Sequence, residues 1–85
     1  MAQKPSASSL VDLPLGVEAV VLEVKERGGF GLRLRALGFR PGAYVQVISK
    51  AALGGPWAIR VNARVVALRL KDVPVIRVAK KEGPL

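Results

Sequence analysis

Residues 28–42, Gly-Gly-Phe-Gly-Leu-Arg-Leu-Arg-Ala-Leu-Gly-Phe-Arg-Pro-Gly, are the one stretch of this chain with a helical period, and they constrain everything around them. Phe30, Leu34 and Leu37 fall within about 60° of one another on a helical wheel, so they share a face. Gly28, Gly29 and Gly31 keep a longer helix from running back into the segment before it. Gly38 follows the last periodic residue, where a left-handed C′ residue is usual and glycine adopts it without a Cβ clash. Phe39 then occupies C″, placed to fold back toward Leu34 as in a Schellman ending. Arg40-Pro41-Gly42-Ala43 reads as a type II turn, with Pro41 fixing φ at the second position and Gly42 supplying positive φ at the third. A helix of about two turns is not stable alone. It must sit on β-structure as a plug or lid, and its outer side is the first place to look for function.

The segments on either side read as short strands. Residues 1–8 are polar and are expected to form a disordered tail. Ser9 is placed to cap a short turn over Leu10-Val11-Asp12-Leu13, and Leu13-Pro14-Leu15-Gly16 reads as a turn. Residues 17–25 form a first strand, with Val20, Leu22 and Val24 on an apolar face and Val21, Glu23 and Lys25 on a mixed one. Residues 43–50 form a second, with Ala43, Val45 and Val47 on one face. Gly-Gly-Pro at 54–56 breaks the chain. Trp57, Ile59 and Val61 share a face of a third strand, and Asn62-Ala63 fits a two-residue hairpin with Asn62 in the left-handed region. Residues 64–70 are apolar on both faces, which suits a central strand. Residues 71–74 make a turn of 3₁₀ character, residues 75–78 a last short strand, and residues 80–85 a charged, flexible tail. The expected division is therefore a tail at 1–8, one domain at 9–79 and a tail at 80–85. About five short strands in so small a chain suggest a barrel that leaves few open edges.

The 85 residues contain no Cys and no His. Disulfides, thiolate metal sites and cysteine nucleophiles are excluded, and so are the commonest metal ligand and the commonest general base. None of the six acids forms a recognisable acid–base pair, and Glu18 and Glu23 differ in strand parity. Glu23 and Glu26 are read as balancing Lys25 and Arg27 on the surface. Neither catalysis nor a specific metal site is expected, and no cofactor. The glycines before the helix match neither a P-loop nor a dinucleotide fingerprint, and are read as permitting the bend into it.

Fourteen Lys and Arg against six Asp and Glu give a formal charge of +8, which favours acidic partners. Two classes compete. A nucleic-acid-binding β-barrel would use Arg33, Arg35, Arg40, Arg60, Arg64 and Arg69 together with exposed aromatic rings. Only four aromatics are available, and Phe30 and Phe39 look committed to the core. A protein-docking module would use the helix side opposite Phe30, where Leu32 and Ala36 lie beside Arg35. The competing reading of Leu32 is burial under the 53–56 loop. No apolar run is long enough for a transmembrane helix, and the N-terminus lacks a signal-peptide core, so a cytoplasmic location is expected.

Taken in order, the pieces resemble the FeoA family, the small cytosolic component of bacterial ferrous iron transport. They are Leu-Val-Asp-Leu-Pro-Leu-Gly at 10–16, Arg33-Leu34, Leu37-Gly38-Phe39, Pro41-Gly42, Val45-Gln46-Val47, Leu53-Gly54-Gly55-Pro56, Val66-Ala67-Leu68-Arg69 and Val75-Ile76-Arg77-Val78. The resemblance runs from residue 10 to residue 78. It implies a mainly β fold, a small SH3-like barrel with the helix inserted after its first strand. It also implies an accessory role to FeoB, a membrane permease that carries a cytosolic GTPase domain. Two positions depart from the family pattern: Ala63 stands where the hairpin usually has Gly, and Val73-Pro74 replaces the usual acid-Ala before the last strand. The expected contact surface is Leu32, Arg35, Ala36 and Arg40 with the Gly54-Gly55-Pro56 loop, and Arg33 is read as either contact or structural. The partner is expected to be the permease, with the anionic inner leaflet as a further match for the charge. A monomer or weak homo-oligomer is expected, and nucleic acid is the alternative partner.

Overall fold

The computed structural model describes residues 7–25 and 29–81. Its framework is one antiparallel sheet of six strands: β1 (Ala7–Ser9), β2 (Glu18–Val24), β3 (Tyr44–Lys50), β4 (Trp57–Val61), β5 (Arg64–Leu68) and β6 (Ile76–Lys80), with one helix, α1 (Gly29–Ala36), between β2 and β3. The strand order is β1-β6-β2-β3-β4-β5. Among the described residues no ladder joins β5 to β1, so both are end strands and the expected closed barrel of about five strands becomes a six-stranded sheet with two edges.

Three sequence expectations change here. Ala7 and Ser8, assigned to a tail, pair with Ala79 and Val78 of β6, and Ser9 Oγ donates to the Pro74 carbonyl at 3.0 Å. Lys80 likewise ends β6, and the Lys81 N–H donates to the Glu18 carbonyl at 2.9 Å, so order extends past residue 79. The second change is the inward face of β2, which carries Ala19 and Val21 rather than Val20 and Leu22. Val21 pairs with Val78 and Glu23 with Arg77, leaving Leu22 as an extra, exposed residue in a β-bulge. The bulge resets the alternation, so Val24 again packs on the core. The third is β5, which is an edge strand. Its inner side carries Val66 and Leu68, and its outer side leaves Val65 and Ala67 exposed. Glu23 pairs with Arg77 at 3.4 Å rather than with a neighbour on its own strand. Glu26 and Arg27 lie outside the described residues.

Other local readings match the structure, except that Val75 ends a 3₁₀ segment rather than starting the last strand, and Gly28 lies outside the described residues. Ser9 caps the 3₁₀ turn at Leu10–Asp12, accepting from the Val11 N–H at 3.3 Å. Leu70–Val75 is a longer 3₁₀ segment that contains Pro74. Ala43, Val45 and Val47 point inward from the second strand, and Trp57, Ile59 and Val61 from the third. With Leu10, Leu13, Leu34, Phe39, Ile76 and Val78 they form one core. Lys50 Nζ stands 4.6 Å from the centroid of the Trp57 ring, a cation–π contact between β3 and β4.

The helix ends as its sequence requires. Gly38 has φ 113°, its N–H donates to Arg35 O at 3.0 Å, and the Phe39 N–H donates to Leu34 O at 3.1 Å. These are the two hydrogen bonds of a Schellman motif, and its apolar members, Leu34 and Phe39, are both buried. The type II turn follows: Gly42 has φ 92°, and the Ala43 N–H donates to Arg40 O at 2.9 Å. Val21 and the turn exchange bonds at 2.8 Å, Gly42 N–H to Val21 O and Val21 N–H to Ala43 O. The chain leaving α1 is thereby stitched to β2, and that stitching holds so short a helix in place.

Candidate docking surface

α1 buries Gly31 and Leu34, half-buries Leu37 and turns Leu32, Arg33 and Ala36 to solvent. The side chain of Phe30 lies outside the described residues. Leu32 is 64% exposed, so the 53–56 loop does not cover it. Arg35 is half-buried, and Arg40 Nε donates to the Arg35 carbonyl at 3.3 Å. The Arg40 guanidinium thus sits at the negative end of the helix and adds a second hydrogen bond to a carbonyl that the Gly38 N–H already engages, a structural duty added to its place on the expected surface.

The loop after β3 makes a single 3₁₀ turn at Ala52–Gly54. Leu53, within it, has φ 59° and a fully solvent-exposed side chain. A branched residue in the left-handed region is strained, by about 1–2 kcal/mol, and no burial of Leu53 offsets that cost. Gly54 takes φ 77°, and Gly55 packs so closely that a Cβ would stand 2.8 Å from the Ala51 Cβ. Both glycines shape the loop. Pro56 follows them and lines one cleft of about 180 Å³ together with Arg33.

That cleft joins the two halves of the expected surface. Leu34, Leu37 and Leu68 contribute its apolar lining, and Asp72 and Arg69 its polar side. Asp72 is 6% exposed and faces Arg69 Nε at 3.9 Å. Leu32, Arg35, Ala36, Arg40, Gly54 and Gly55 do not line the cleft. Asp72, buried at the cleft, is a feature that the sequence did not single out; Arg69 was read there only as a nucleic-acid candidate and a motif residue. Leu53 stood there as a cover for Leu32 and as a motif residue, and no local signal marks its backbone strain. Arg69 and Asp72 reach the cleft through the chain reversal after β5.

Among the described residues no three Asp or Glu side chains cluster as a metal site would need, and no helix is long and apolar enough to cross a membrane. Phe39 and Trp57 are in the core, which leaves Tyr44 as the one exposed ring among the described side chains. The surface thus holds a cleft of mixed apolar and charged lining, with Leu32 exposed on α1 and Leu53 exposed in the loop after β3.

A small antiparallel β domain with one helix inserted between β2 and β3 is the class that this geometry defines. The FeoA domain model matches residues 8–80, and the chain belongs to the FeoA family. No protein of curated function matches it in sequence. FeoA of Stenotrophomonas maltophilia complexed with zinc, described as a prokaryotic SH3 domain protein, is 32% identical. That match covers 82% of this chain and 87% of the other, with a TM-score of 0.72. The FeoA protein of Chlorobium tepidum is 28% identical over 91% of this chain and 73% of the other, with a TM-score of 0.80. A manganese-dependent transcriptional repressor matches 94% of this chain with 45% of its own, at a TM-score of 0.80 and 15% identity, and shares the fold alone.

Proposed function

We propose that this chain is a non-catalytic accessory of ferrous iron uptake that docks on the cytosolic part of a FeoB-type permease. Family membership supports the setting. The observation that carries the docking surface is the pair Leu32 and Leu53, the two most exposed large apolar side chains among the described residues. A single exposed leucine needs no explanation. Here two stand on elements that share a cleft through Arg33 and Pro56, and one of them is held in a strained conformation. Arg33, Arg35 and Arg40 give the surface its sign, which suits an acidic partner face.

Calorimetry of the purified protein with the soluble cytosolic domain of the cognate permease tests this. A one-site isotherm is expected, weakened about tenfold by Arg35→Glu and by Leu32→Ser. Unchanged affinity in both variants would move the contact away from α1. Silence with that domain, together with retention on single-stranded DNA or RNA and a steep log–log salt slope, would replace the reading with nucleic-acid binding.

A further inference from the structure

We infer that the outer edge of β5 takes up an extended acidic peptide by strand addition. Asn62 and Ala63 are the two-residue turn between the paired Val61 and Arg64, and in such a hairpin the closing pair exchanges both backbone hydrogen bonds. Bonded and non-bonded pairs then alternate. Arg64, Val66 and Leu68 direct their N–H and C=O groups at β4, and Val65 and Ala67 direct theirs outward. Among the described residues no strand, loop or side chain donates to or accepts from those outward groups. The Val65 side chain above them is 54% exposed. This is an unblocked ladder at the end of a sheet, a template for a further strand.

The charges around the edge choose the occupant. Arg60 lies across from Val65, Arg64 begins the strand and Arg69 follows it. Among the described residues Arg60 and Arg64 have no ion-pair partner, and Arg69 has only Asp72 at 3.9 Å. A second copy of this chain is a poor fit, because pairing β5 with β5 crowds two Arg64 and two Arg69 onto one short ladder. An acidic strand instead meets Arg60 and Arg64 near one end of the edge and Arg69 at the other. At the C-terminal end of β5 a cleft with Leu34, Leu37 and Leu68 on its apolar side, and Arg33, Arg69 and Asp72 on its polar side, offers room for one apolar side chain of the added strand. The β5 edge is a different surface from the outer side of α1 and shares only the cleft with it, and its test uses no permease.

The probe is a labelled hexapeptide of alternating Glu and Val. Binding is followed by fluorescence anisotropy, and amide exchange of the full chain by NMR. On binding, the exchange of the Val65 and Ala67 amides is expected to slow, while those of Val66 and Leu68, already bonded to β4, stay as they were. The Lys-for-Glu peptide is expected to bind at least about tenfold more weakly. N-methylation of alternate peptide amides should abolish binding without touching the protein. Val65→Pro should do the same from the other side. It removes an outward donor that β4 does not use, so the fold is expected to survive, as the NMR spectrum will show. Equal affinity for the Glu and Lys peptides, binding without protection of Val65 and Ala67, or no binding of the acidic peptide would each overturn the inference. So would a concentration-dependent dimer that protects the same two amides, which would assign the edge to a second copy.

Discussion

Tyr44 and Asn62 hold each other through two backbone-directed hydrogen bonds. The Asn62 N–H donates to the Tyr44 carbonyl at 2.8 Å, and the Tyr44 N–H donates to Asn62 Oδ1 at 3.2 Å. The amide side chain therefore caps the start of β3 from the β4–β5 turn, while its own backbone sits at φ 54°. Both functions need this residue type. Asn62→Ala is expected to cost about 1–2 kcal/mol, from a lost acceptor and a strained φ. Asn62→Gly should cost about 1 kcal/mol or less, because it restores the conformation but not the acceptor. Urea denaturation with an unchanged slope separates the two.

The neighbouring position gives the opposite expectation. Ala63 occupies the place where the family usually has Gly, yet Asn62 alone takes positive φ in this turn. Ala63→Gly relieves no strain and loosens the unfolded chain, so it should lower stability by about 0.5–1 kcal/mol. A rise in the urea midpoint would show that the turn is strained at Ala63.

Gly38 and Gly42 both need positive φ, but only one is crowded. A Cβ on Gly38 would lie 3.3 Å from Val61 Cγ2, whereas a Cβ on Gly42 meets nothing within 4 Å. Gly42→Ala should therefore cost the conformational strain alone, about 1–2 kcal/mol. Gly38→Ala should cost that plus the displacement of Val61, with about 1 kcal/mol or more between the two variants. Thermal melts of the pair read that difference directly.

Leu53 carries strain without burial, so stability and binding should separate there. Leu53→Gly is expected to leave stability unchanged or raise it by up to about 1 kcal/mol, because the relieved strain exceeds the entropy that glycine adds. The same change should weaken binding to the permease domain by about tenfold, since it removes an exposed apolar anchor. Melting and calorimetry on one preparation test both halves. A variant that binds as tightly as the parent would leave the strain at Leu53 without a docking role.

The parts of the fold legible in the sequence are those decided by neighbours in the chain. Gly38 and Phe39 ended the helix, Pro41 and Gly42 made the turn, and the inward faces of β3 and β4 followed from simple alternation. What escaped depended on distant partners. Ala-Ser-Ser at 7–9 has no apolar alternation, and only the ladder with β6 makes it a strand. The parity of β2 was misread because Leu22, an ordinary apolar residue, is squeezed out by the register with β6. An end strand with an apolar outer side, as β5 has at Val65, looks locally like a central one. The expected contact surface divides the same way. Leu32 was legible on a helical wheel, whereas the cleft joining Arg33 to Pro56, Leu68 and Asp72 is built from segments that meet only after folding.

The position of β6 between β1 and β2 has a kinetic consequence. β3, β4 and β5 follow one another through short connections and can zip together early, whereas β6 comes from the far end of the chain and must slot between two strands from its beginning. Closing that long loop costs entropy before Ile76 and Val78 return any contact. In a chevron, Ile59→Val should slow folding, while Ile76→Val should chiefly speed unfolding. The last strand to arrive is then the first to leave, and the lifetime of the native state rests on how firmly the chain's two ends grip each other.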